Sequence, residues 1–512
     1  MESRLARNVK RVGLVAGPAL GLLLYALLPQ SYRDAEGSVV ALGSTARATL
    51  GMMVWMAVWW MTEAVEIEVT ALLPIVAFPL VGVLPLKQTT ASYGSDVVFL
   101  FLGGFILAKS LSRWGLDRRI ALVTLRCVGT RPSRVVGGLM LATAVMSMWV
   151  SNTATVAMMV PIVLSLIDVA VRKETGKGLA EHGAIPEQHA DLSRFALGAL
   201  LGVAYAASIG GVGTIIGSPP NGLLARFLEE RQGVSVGFAE WMLFGVPVVV
   251  VFLPLAWLLL VKVLFPSRLR EIAGGREYVR EAWARIGPLG RGERVTMIVF
   301  FCAAFAWMTS PWLARLDIAG LRPLAGLSDA GIAVGAALVL FVVPVDRKRG
   351  LMVMDWATAK TLPWGVLVLF GGGLALATAV EVNGVGAYVG SLAAGLAGWP
   401  VWAVLLVVIA AMVFLSELTS NTAQVATMLP ILAALAPALD MPPPLLLVPA
   451  TLAASLAFMM PVGTPPNAIV FGTGLVRMPH MLRAGLRLNV IGIVVLFVLT
   501  WVVIQPLIGR WS

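Results

Sequence analysis

This chain of 512 residues is poor in the side chains that build metal centres and disulfide frameworks. It contains only two cysteines, Cys127 and Cys302, and three histidines. The two cysteines stand in unrelated contexts, which excludes a disulfide scaffold and a thiolate metal site. Charge is scarce as well, because 13% of the residues are Asp, Glu, Lys or Arg. This is about half the share of a typical soluble protein and argues against a soluble domain.

Apolar residues are correspondingly abundant. They make up 59% of the chain, and the mean hydropathy is +0.89. Windows such as Met242–Val261 and Val490–Ile508 are long enough to cross a bilayer, which takes roughly 20 apolar residues. The sequence therefore predicts an all-α polytopic membrane protein with the lipid bilayer as its surroundings. We assign the net charge of +11 to basic loops that set topology, and we expect no nucleic-acid partner.

Eleven membrane spans and two re-entrant hairpins account for the apolar segments. The hairpins are predicted near 132–171 and 399–436, each with a Ser-Asn-Thr sequence at its tip. The spans are predicted near 13–29, 47–62, 66–86, 95–112, 195–227, 240–264, 293–313, 328–345, 363–380, 446–473 and 484–508.

Basic residues support this count. With the N-terminus in the cytoplasm, alternating spans place five Arg-rich stretches on the cytoplasmic side. These are Arg113–Arg134, Arg172–Lys177, Lys262–Arg294, Arg347–Arg349 and Arg477–Arg487. The first apolar run is interpreted as a span rather than a cleaved signal peptide, because no small-residue cleavage site follows Leu28. We expect a plasma-membrane protein (a bacterial inner membrane) with its C-terminus outside.

Two polar motifs are each written twice. Ser151–Pro161 reads SNTATVAMMVP and Ser420–Pro430 reads SNTAQVATMLP, with eight of eleven positions identical. The sequences GSPPN at Gly217–Asn221 and GTPPN at Gly463–Asn467 form the second pair. Matched motifs of this kind predict one site assembled from two internal repeats, as in secondary transporters.

The repeats are expected to be inverted, because five predicted spans, an odd number, separate the two SNT motifs. We divide the chain into a tail with the first helix at 1–46, a first repeat at 47–290 and a second at 291–512. Within the repeats, scaffold helices run to about 131 and to about 398, and the hairpin and transport helices follow. Two further glycine matches share the SNT offset of 269 (420 − 151), namely Gly103-Gly104 with Gly372-Gly373 and Gly115 with Gly384.

Each motif is expected to interrupt a helix at membrane depth and to expose polar backbone there. Ser and Asn begin helices, and Pro-Pro forbids continuation of the preceding one. We expect Asn221 and Asn467 to cap the following half-helices. Four half-helix N-termini would then favour an anion. Hydroxyl and amide groups that can bind carboxylate oxygens come from Asn152, Thr153, Ser218, Asn421, Thr422 and Thr464.

No Arg or Lys lies in the four motifs, so bound cations are the natural compensation for a dianion. Carbonyl oxygens at Gly217 and Gly463, with Ser and Asn oxygens, are hard ligands suited to Na⁺. Ser147 and Ser416 precede the SNT motifs by one helical turn and can complete the two shells. The alternative is that Ser and Asn only bind helices together and that the prolines are simple kinks. Glu417 beside Ser416 is expected to face water or a helix end rather than to take part in coupling.

The motifs resemble those of the divalent anion/sodium symporter family, which includes sodium-dependent dicarboxylate carriers. The resemblance rests on both SNT motifs, GGVGTIIGSPPN at Gly210–Asn221, MMPVGTPPN at Met459–Asn467 and the stretch Met61–Pro85. It implies an elevator-type transporter and a homodimer. The implied sodium ligands are Ser147, Ser151, Asn152 and Gly217 for one site and Ser416, Ser420, Asn421 and Gly463 for the other. The implied substrate-binding residues are Asn152, Thr153, Ser218, Pro219, Asn421, Thr422, Thr464 and Pro465.

The function predicted from the sequence is Na⁺-coupled symport of a C4-dicarboxylate such as succinate, malate or fumarate. Na⁺ is the expected coupling ion, and no catalytic residue is expected. A sodium-independent exchanger of di- or tricarboxylates is the alternative, since that family also contains such proteins. An anion channel and an intramembrane enzyme are the more distant alternatives, and the sequence has no HExxH or GxSxG motif to support the latter.

Overall fold

A computed structural model describes residues 4–33, 38–179, 185, 187–315, 317, 322, 324, 326–392 and 398–509. Nearly all regular structure in this part of the chain is helical. The first half contains helices Arg4–Leu27, Ser44–Thr62, Ile67–Thr70, Leu73–Leu80, Leu86–Ala91, Asp96–Arg113, Leu116–Val128, Pro132–Ser147, Asn152–Thr175, Ala190–Gly211, Pro219–Gln232, Phe238–Leu258 and Gly275–Ile286. The second half contains Arg291–Leu313, Asp329–Val342, Trp356–Ala359, Trp364–Val382, Val385–Leu392, Val401–Ser416, Asn421–Ala438, Pro443–Ala454, Pro465–Phe471, Met478–Leu499 and Gln505–Ile508.

The expectation of an all-α chain needs a small correction. Two short antiparallel strand pairs connect helices, Ser31–Arg33 with Val39–Ala41 and Pro344–Asp346 with Leu351–Met352. They form because each connecting segment is short enough to pair its backbone groups with one another instead of with water.

Eight helices in the described part of the chain are long and apolar enough to cross a membrane, and four shorter apolar helices accompany them. The predicted span at 66–86 is divided into Ile67–Thr70 and Leu73–Leu80. The helix Asn152–Thr175 is among the eight, although we interpret it as one arm of a re-entrant hairpin. The count of eleven spans and both hairpins therefore stay predictions.

Two amphipathic helices, Leu116–Val128 and Gly275–Ile286, occupy stretches that the sequence indicated only as Arg-rich connections. Their basic residues obscured the apolar side that each helix turns toward the protein. The polar connection near 172–194 lies partly outside the described residues.

Two of the matched glycines lie where the backbone of another segment comes close. A Cβ on Gly103 would come within 2.4 Å of the backbone of Ala333, and one on Gly372 within 2.5 Å of the backbone of Ala71. Each contact therefore joins a residue of the first half to one of the second. Gly115 and Gly384 follow the same two helices and both take the left-handed conformation, at φ 73° and 67°.

Candidate substrate and sodium site

The first SNT motif marks the turn between two helices. Helix Pro132–Ser147 ends and helix Asn152–Thr175 begins after four residues. Ser151 is the N-cap of the second helix, and its Oγ accepts a hydrogen bond from the Ala154 N–H across 3.4 Å. The predicted capping role of this serine is confirmed.

Several oxygen atoms lie close together beside that turn. The hydroxyl oxygen of Ser147 lies 2.5 Å from Asn152 Oδ1 and 2.8 Å from the Ala207 carbonyl oxygen. The hydroxyl has one proton, so it can donate to only one of these two acceptors at a time. Gly211 makes the cluster possible, because a Cβ there would lie 2.4 Å from Asn152 Oδ1. A set of neutral oxygens with few protons suits a hard cation such as Na⁺.

The first GSPPN motif ends an unwound segment, residues 212–218, which we name break 1. A Cβ on Gly217 would lie 2.6 Å from the Gly211 carbonyl oxygen and 3.0 Å from that of Met148. The Thr214 hydroxyl donates to the Met148 carbonyl and accepts from the Gly217 N–H, the latter across 3.1 Å. Break 1 is thus joined to the SNT turn by hydrogen bonds, and two carbonyl oxygens lie close to Gly217.

A buried asparagine holds break 1 in shape. The side-chain amide of Asn221 donates to the carbonyl oxygens of Gly211, at 2.9 Å, and of Thr214, at 2.7 Å. Its own Oδ1 is buried and has no hydrogen-bond partner in the described part of the chain. Since buried acceptors are rarely left unpaired, this oxygen is a candidate cation ligand.

The second pair of motifs reproduces this arrangement. The unwound segment here, residues 455–464, is break 2. The amide of Asn467 donates to the carbonyl oxygens of Ala457, at 3.1 Å, and of Met460, at 3.0 Å. These three residues follow Asn221, Gly211 and Thr214 by the same 246 positions (467 − 221). Asn467 Oδ1 is also buried without a partner among the described residues.

The predicted capping role of these two asparagines is wrong. Both occupy the third position of the following helix, where the side chain reaches back to the break instead of capping. Thr464 is the cap of the second half-helix, since its side chain accepts from the Asn467 N–H, whereas Ser218 makes no such bond. Ser420 also stands at a cap position without a side-chain cap bond.

A carboxylate distinguishes the second pair of motifs from the first. Glu417, only 4% exposed, accepts hydrogen bonds from the backbone N–H groups of Phe458, Met459 and Met460 over 2.7–3.0 Å. The side-chain amide of Asn489 donates to it as well, across 2.7 Å. The expectation that Glu417 faces water or a helix end is wrong, because backbone N–H groups of break 2, which lie outside any helix, enclose it.

The counterpart of Glu417 in the first motif pair is Met148, whose backbone carbonyl takes the equivalent contact from Thr214. A Cβ on Gly463 would lie 3.2 Å from Glu417 Oε2, so the fixed negative charge borders the second predicted cation site. Ser416, by contrast, donates to the Val413 carbonyl within its own helix, at 2.7 Å. The two predicted cation sites are therefore chemically unequal.

The predicted site residues fall into a buried group and an accessible group, and this division does not follow the cation and substrate assignments. Ser147, Ser416, Gly217 and Gly463 are buried. Ser218 and Thr464 are buried beside them, at 4% and 5% exposure. The residues with accessible surface are Ser151, Asn152, Thr153, Pro219, Ser420, Asn421, Thr422 and Pro465. The SNT tips thus offer a polar surface over a buried oxygen-rich layer.

The two motif pairs also interlock. The half-helix Pro219–Gln232 packs on Asn421–Ala438, and the half-helix Pro465–Phe471 packs on Asn152–Thr175. Each half-helix thereby contacts the SNT-capped helix of the other motif pair. The structure brings together Ser147, Asn152 and Gly217 at the first turn and Glu417 with Gly463 at the second. The assignment of particular ligands to Na⁺ or to substrate stays a prediction.

Sequence reasoning missed several residues of this site. Gly211, Thr214 and Gln424 lie within the quoted motifs, but the sequence indicated no role for them. Gln424 joins the two helices of its motif by donating to the Met412 carbonyl across 2.9 Å. Asn489 could not be found at all, since it comes from a distant helix and has no motif of its own.

Broken helices that converge with oxygen-rich turns inside an apolar helical protein define a membrane transporter of the secondary type. Comparison with known families agrees: residues 38–509 match the model of the sodium:sulfate symporter transmembrane region. The chain belongs to this family, as the resemblance predicted. It is a multi-pass transporter and not an enzyme.

Curated relatives lie within the same family. A sodium-dependent dicarboxylate transporter, SdcS, of Staphylococcus saprophyticus is 38% identical over 97% of this chain and 92% of its own length. A protein of the same name from Staphylococcus aureus strain RF122 is 37% identical over the same shares. The expectation that Na⁺ is the coupling ion is confirmed at the level of the family, whose description names sodium.

Solved structures support the fold. The Alcanivorax borkumensis YdaH transporter superposes with a TM-score of 0.58 at 14% identity, covering 96% of this chain and 97% of that one. Neisseria gonorrhoeae MtrF gives 0.57 at 13% identity and covers 97% of both chains. At this identity, the likeness concerns the fold alone.

Proposed function

We propose that this protein is a Na⁺-coupled symporter of C4-dicarboxylates such as succinate, malate and fumarate. The observation that carries the proposal is the pair of breaks, each closed by an asparagine that bonds the same two backbone positions. Two equivalent polar tips suit an anion with a carboxylate at each end. The names of the curated relatives point to the same substrate class.

The sodium ions favour binding of the dianion in two ways. They compensate its charge, and they order the polar tip that binds it. No Arg or Lys lies in the motifs, so cations in the buried oxygen layer compensate the substrate charge. In the first site, a Na⁺ ion held by Ser147, Ser151, Asn152 and Gly217 would fix the SNT tip. In the second, Glu417 adds one fixed negative charge beside the ligands Ser416, Ser420, Asn421 and Gly463, which favours the cation there and opposes binding of the dianion without it.

We propose further that the two halves form an inverted repeat and that the protein works as a homodimeric elevator with a cytoplasmic N-terminus and an external C-terminus. The reciprocal contacts of Gly103 with Ala333 and Gly372 with Ala71 support the pseudo-twofold relation. The exposed Cys127 then faces the cytoplasm. A membrane-impermeant maleimide should label Cys127 only in inverted vesicles of a Cys302→Ser variant, and labelling in right-side-out vesicles contradicts the orientation.

Uptake of radiolabelled succinate into empty proteoliposomes tests the transport function. An inward Na⁺ gradient should drive uptake, whereas choline in its place should abolish it. Uptake that ignores Na⁺ but requires dicarboxylate inside the vesicles would identify an exchanger, and current without saturation would identify a channel. Competition by unlabelled malate, citrate and sulfate then ranks the anions, with sulfate included because the family description names it.

A further inference from the structure

Two adjoining cavities lie on the Arg-rich face of the protein, far from the SNT motifs. They measure about 410 Å³ and 470 Å³, and Gly129, Thr130 and Arg276 border both. The amphipathic helix Gly275–Ile286 forms one wall and helix Leu116–Val128 another. On the predicted topology, this face meets the cytoplasmic leaflet of the bilayer.

The lining has an apolar part and a basic part. The apolar residues are Leu125, Val135, Leu166, Ile272 and Val279, from four different segments of the chain. The basic residues are Arg126, Arg131, Arg134, Arg270, Arg276 and Arg280. Such a combination offers an anionic group its counter-charges and an alkyl chain its apolar contact at one location.

The positive charge of this lining is poorly compensated. None of the six guanidinium groups forms an ion pair with another described residue. Glu271 is the one carboxylate among the lining residues described, and the Thr130 hydroxyl already donates to it across 3.5 Å. Arg126 lies over the ring of Trp283, at 4.8 Å from the centroid. All six guanidinium groups are exposed, and six positive charges against one negative charge make this face attractive to an anion from outside the chain.

We propose that the two cavities bind one anionic phospholipid, with its phosphate among the arginines and an acyl chain along the apolar lining. Trp283 is among the lining residues, and tryptophan is favoured at the level of lipid headgroups. Basic pockets between helices on the cytoplasmic side recognise anionic headgroups by this combination of charges. The neighbouring helix Leu116–Val128 also exposes Ile120 and Val123, so apolar surface continues from the cavity outward.

The bound lipid contacts the predicted first hairpin. Val135 belongs to helix Pro132–Ser147 and Leu166 to helix Asn152–Thr175, and both side chains line the cavity of about 410 Å³. The lipid therefore joins both arms of this hairpin to the two amphipathic helices, and its binding stabilises the folded protein. This inference does not depend on which anion is transported.

Thermal unfolding of the delipidated full-length protein in detergent tests the proposal. Phosphatidylglycerol, phosphatidylcholine and inorganic phosphate are titrated separately at equal phosphorus concentration. The cavity variant carries Arg126→Gln, Arg276→Gln and Arg280→Gln. The matched control carries Arg285→Gln, Arg294→Gln and Arg349→Gln, three exposed arginines outside the cavities, so that both variants lose the same charge.

Phosphatidylglycerol should raise the unfolding temperature of the wild type and of the control alike. The cavity variant should need roughly a hundredfold more of this lipid, because each basic residue near an anionic lipid contributes about fivefold to binding. Phosphatidylcholine and inorganic phosphate should have little effect on any of the three. Val279→Trp fills the apolar lining without removing charge, so it should also weaken the stabilisation by phosphatidylglycerol. It replaces the triple variant in this test if that variant does not fold.

Equal responses of the cavity variant and the control would overturn the proposal. Stabilisation of the wild type by inorganic phosphate to the same extent as by phosphatidylglycerol would also overturn it, since the cavities would then be a phosphate site without a role for the acyl chain.

Discussion

Glu417 and Asn489 lie 72 positions apart in the chain, yet Asn489 Nδ2 donates to Glu417 Oε1 across 2.7 Å. The same carboxylate accepts from three successive N–H groups of break 2. The backbone N–H groups of break 2 that could bind an anion thus already bind a carboxylate of the protein itself. The transported anion is left with the SNT tips and the neighbouring hydroxyls.

Replacement of Glu417 by Gln should destabilise the protein and impair transport. The amide keeps the shape of the side chain, but its NH₂ group faces backbone N–H donors and leaves at least one of them unpaired. The expected cost is about 2–3 kcal/mol, measured as a lower unfolding temperature in detergent. Glu281→Gln, at an exposed and ion-paired glutamate, is the matched control and should behave like the wild type. A Glu417→Gln protein of unchanged stability would contradict the role given to this carboxylate.

Replacement of Gly211 by Ala should disturb the first cation site. The added methyl group would lie 2.4 Å from Asn152 Oδ1, closer than real contacts allow, so the Asn152 side chain must move. We expect the half-saturating Na⁺ concentration for succinate uptake to rise roughly tenfold or more, equivalent to about 1.4 kcal/mol. Gly198→Ala in the same helix is the control, since the nearest atom there is 4.0 Å away. Equal Na⁺ dependence of both variants would exclude Gly211 from the site.

Asn221→Ala and Asn467→Ala should each loosen one break. Each substitution removes two hydrogen bonds to backbone carbonyls and leaves those carbonyls buried, at a cost of about 1–3 kcal/mol. Asn383→Ala is the control, because the Asn383 amide also donates to two carbonyls, those of Val83 and Ala379, outside the motifs. All three variants should lose stability, but only the first two should need more Na⁺ for half-maximal uptake. Unchanged Na⁺ dependence in both would leave the two asparagines a purely structural role.

Ser151→Ala and Ser420→Ala should differ in their effect on stability, but both should slow transport. Ser151 caps its helix, so its loss costs about 1 kcal/mol, whereas Ser420 makes no cap bond and its loss should cost little. Both serines are predicted sodium ligands, so both variants should show slower Na⁺-driven succinate uptake. Wild-type rates from folded protein would falsify the assignment of these serines.

The sequence predicted the helical membrane class, the positions of both SNT turns and the interruption of helices at the GSPPN and GTPPN motifs. These features follow from local chemistry, since long apolar runs and Pro-Pro or Ser-Asn pairs act within a few residues of their own position. The amphipathic helices Leu116–Val128 and Gly275–Ile286 escaped prediction, because dense basic residues resemble a loop when the packing partner of the apolar side is unknown.

Sequence alone determined that two motif pairs exist and that they match each other, because repetition is visible without a fold. Tertiary structure alone decided how the pairs differ. Glu417 and Met148 stand at equivalent places, but only the folded chain brings break 2 and Asn489 around the carboxylate. Likewise, in the folded chain the side-chain amides of Asn221 and Asn467 donate to carbonyl oxygens preceding their own half-helices and do not cap those helices. The physical reason is that a buried polar group must find its partners wherever packing places them, and those partners lie 7 to 72 residues away along the chain.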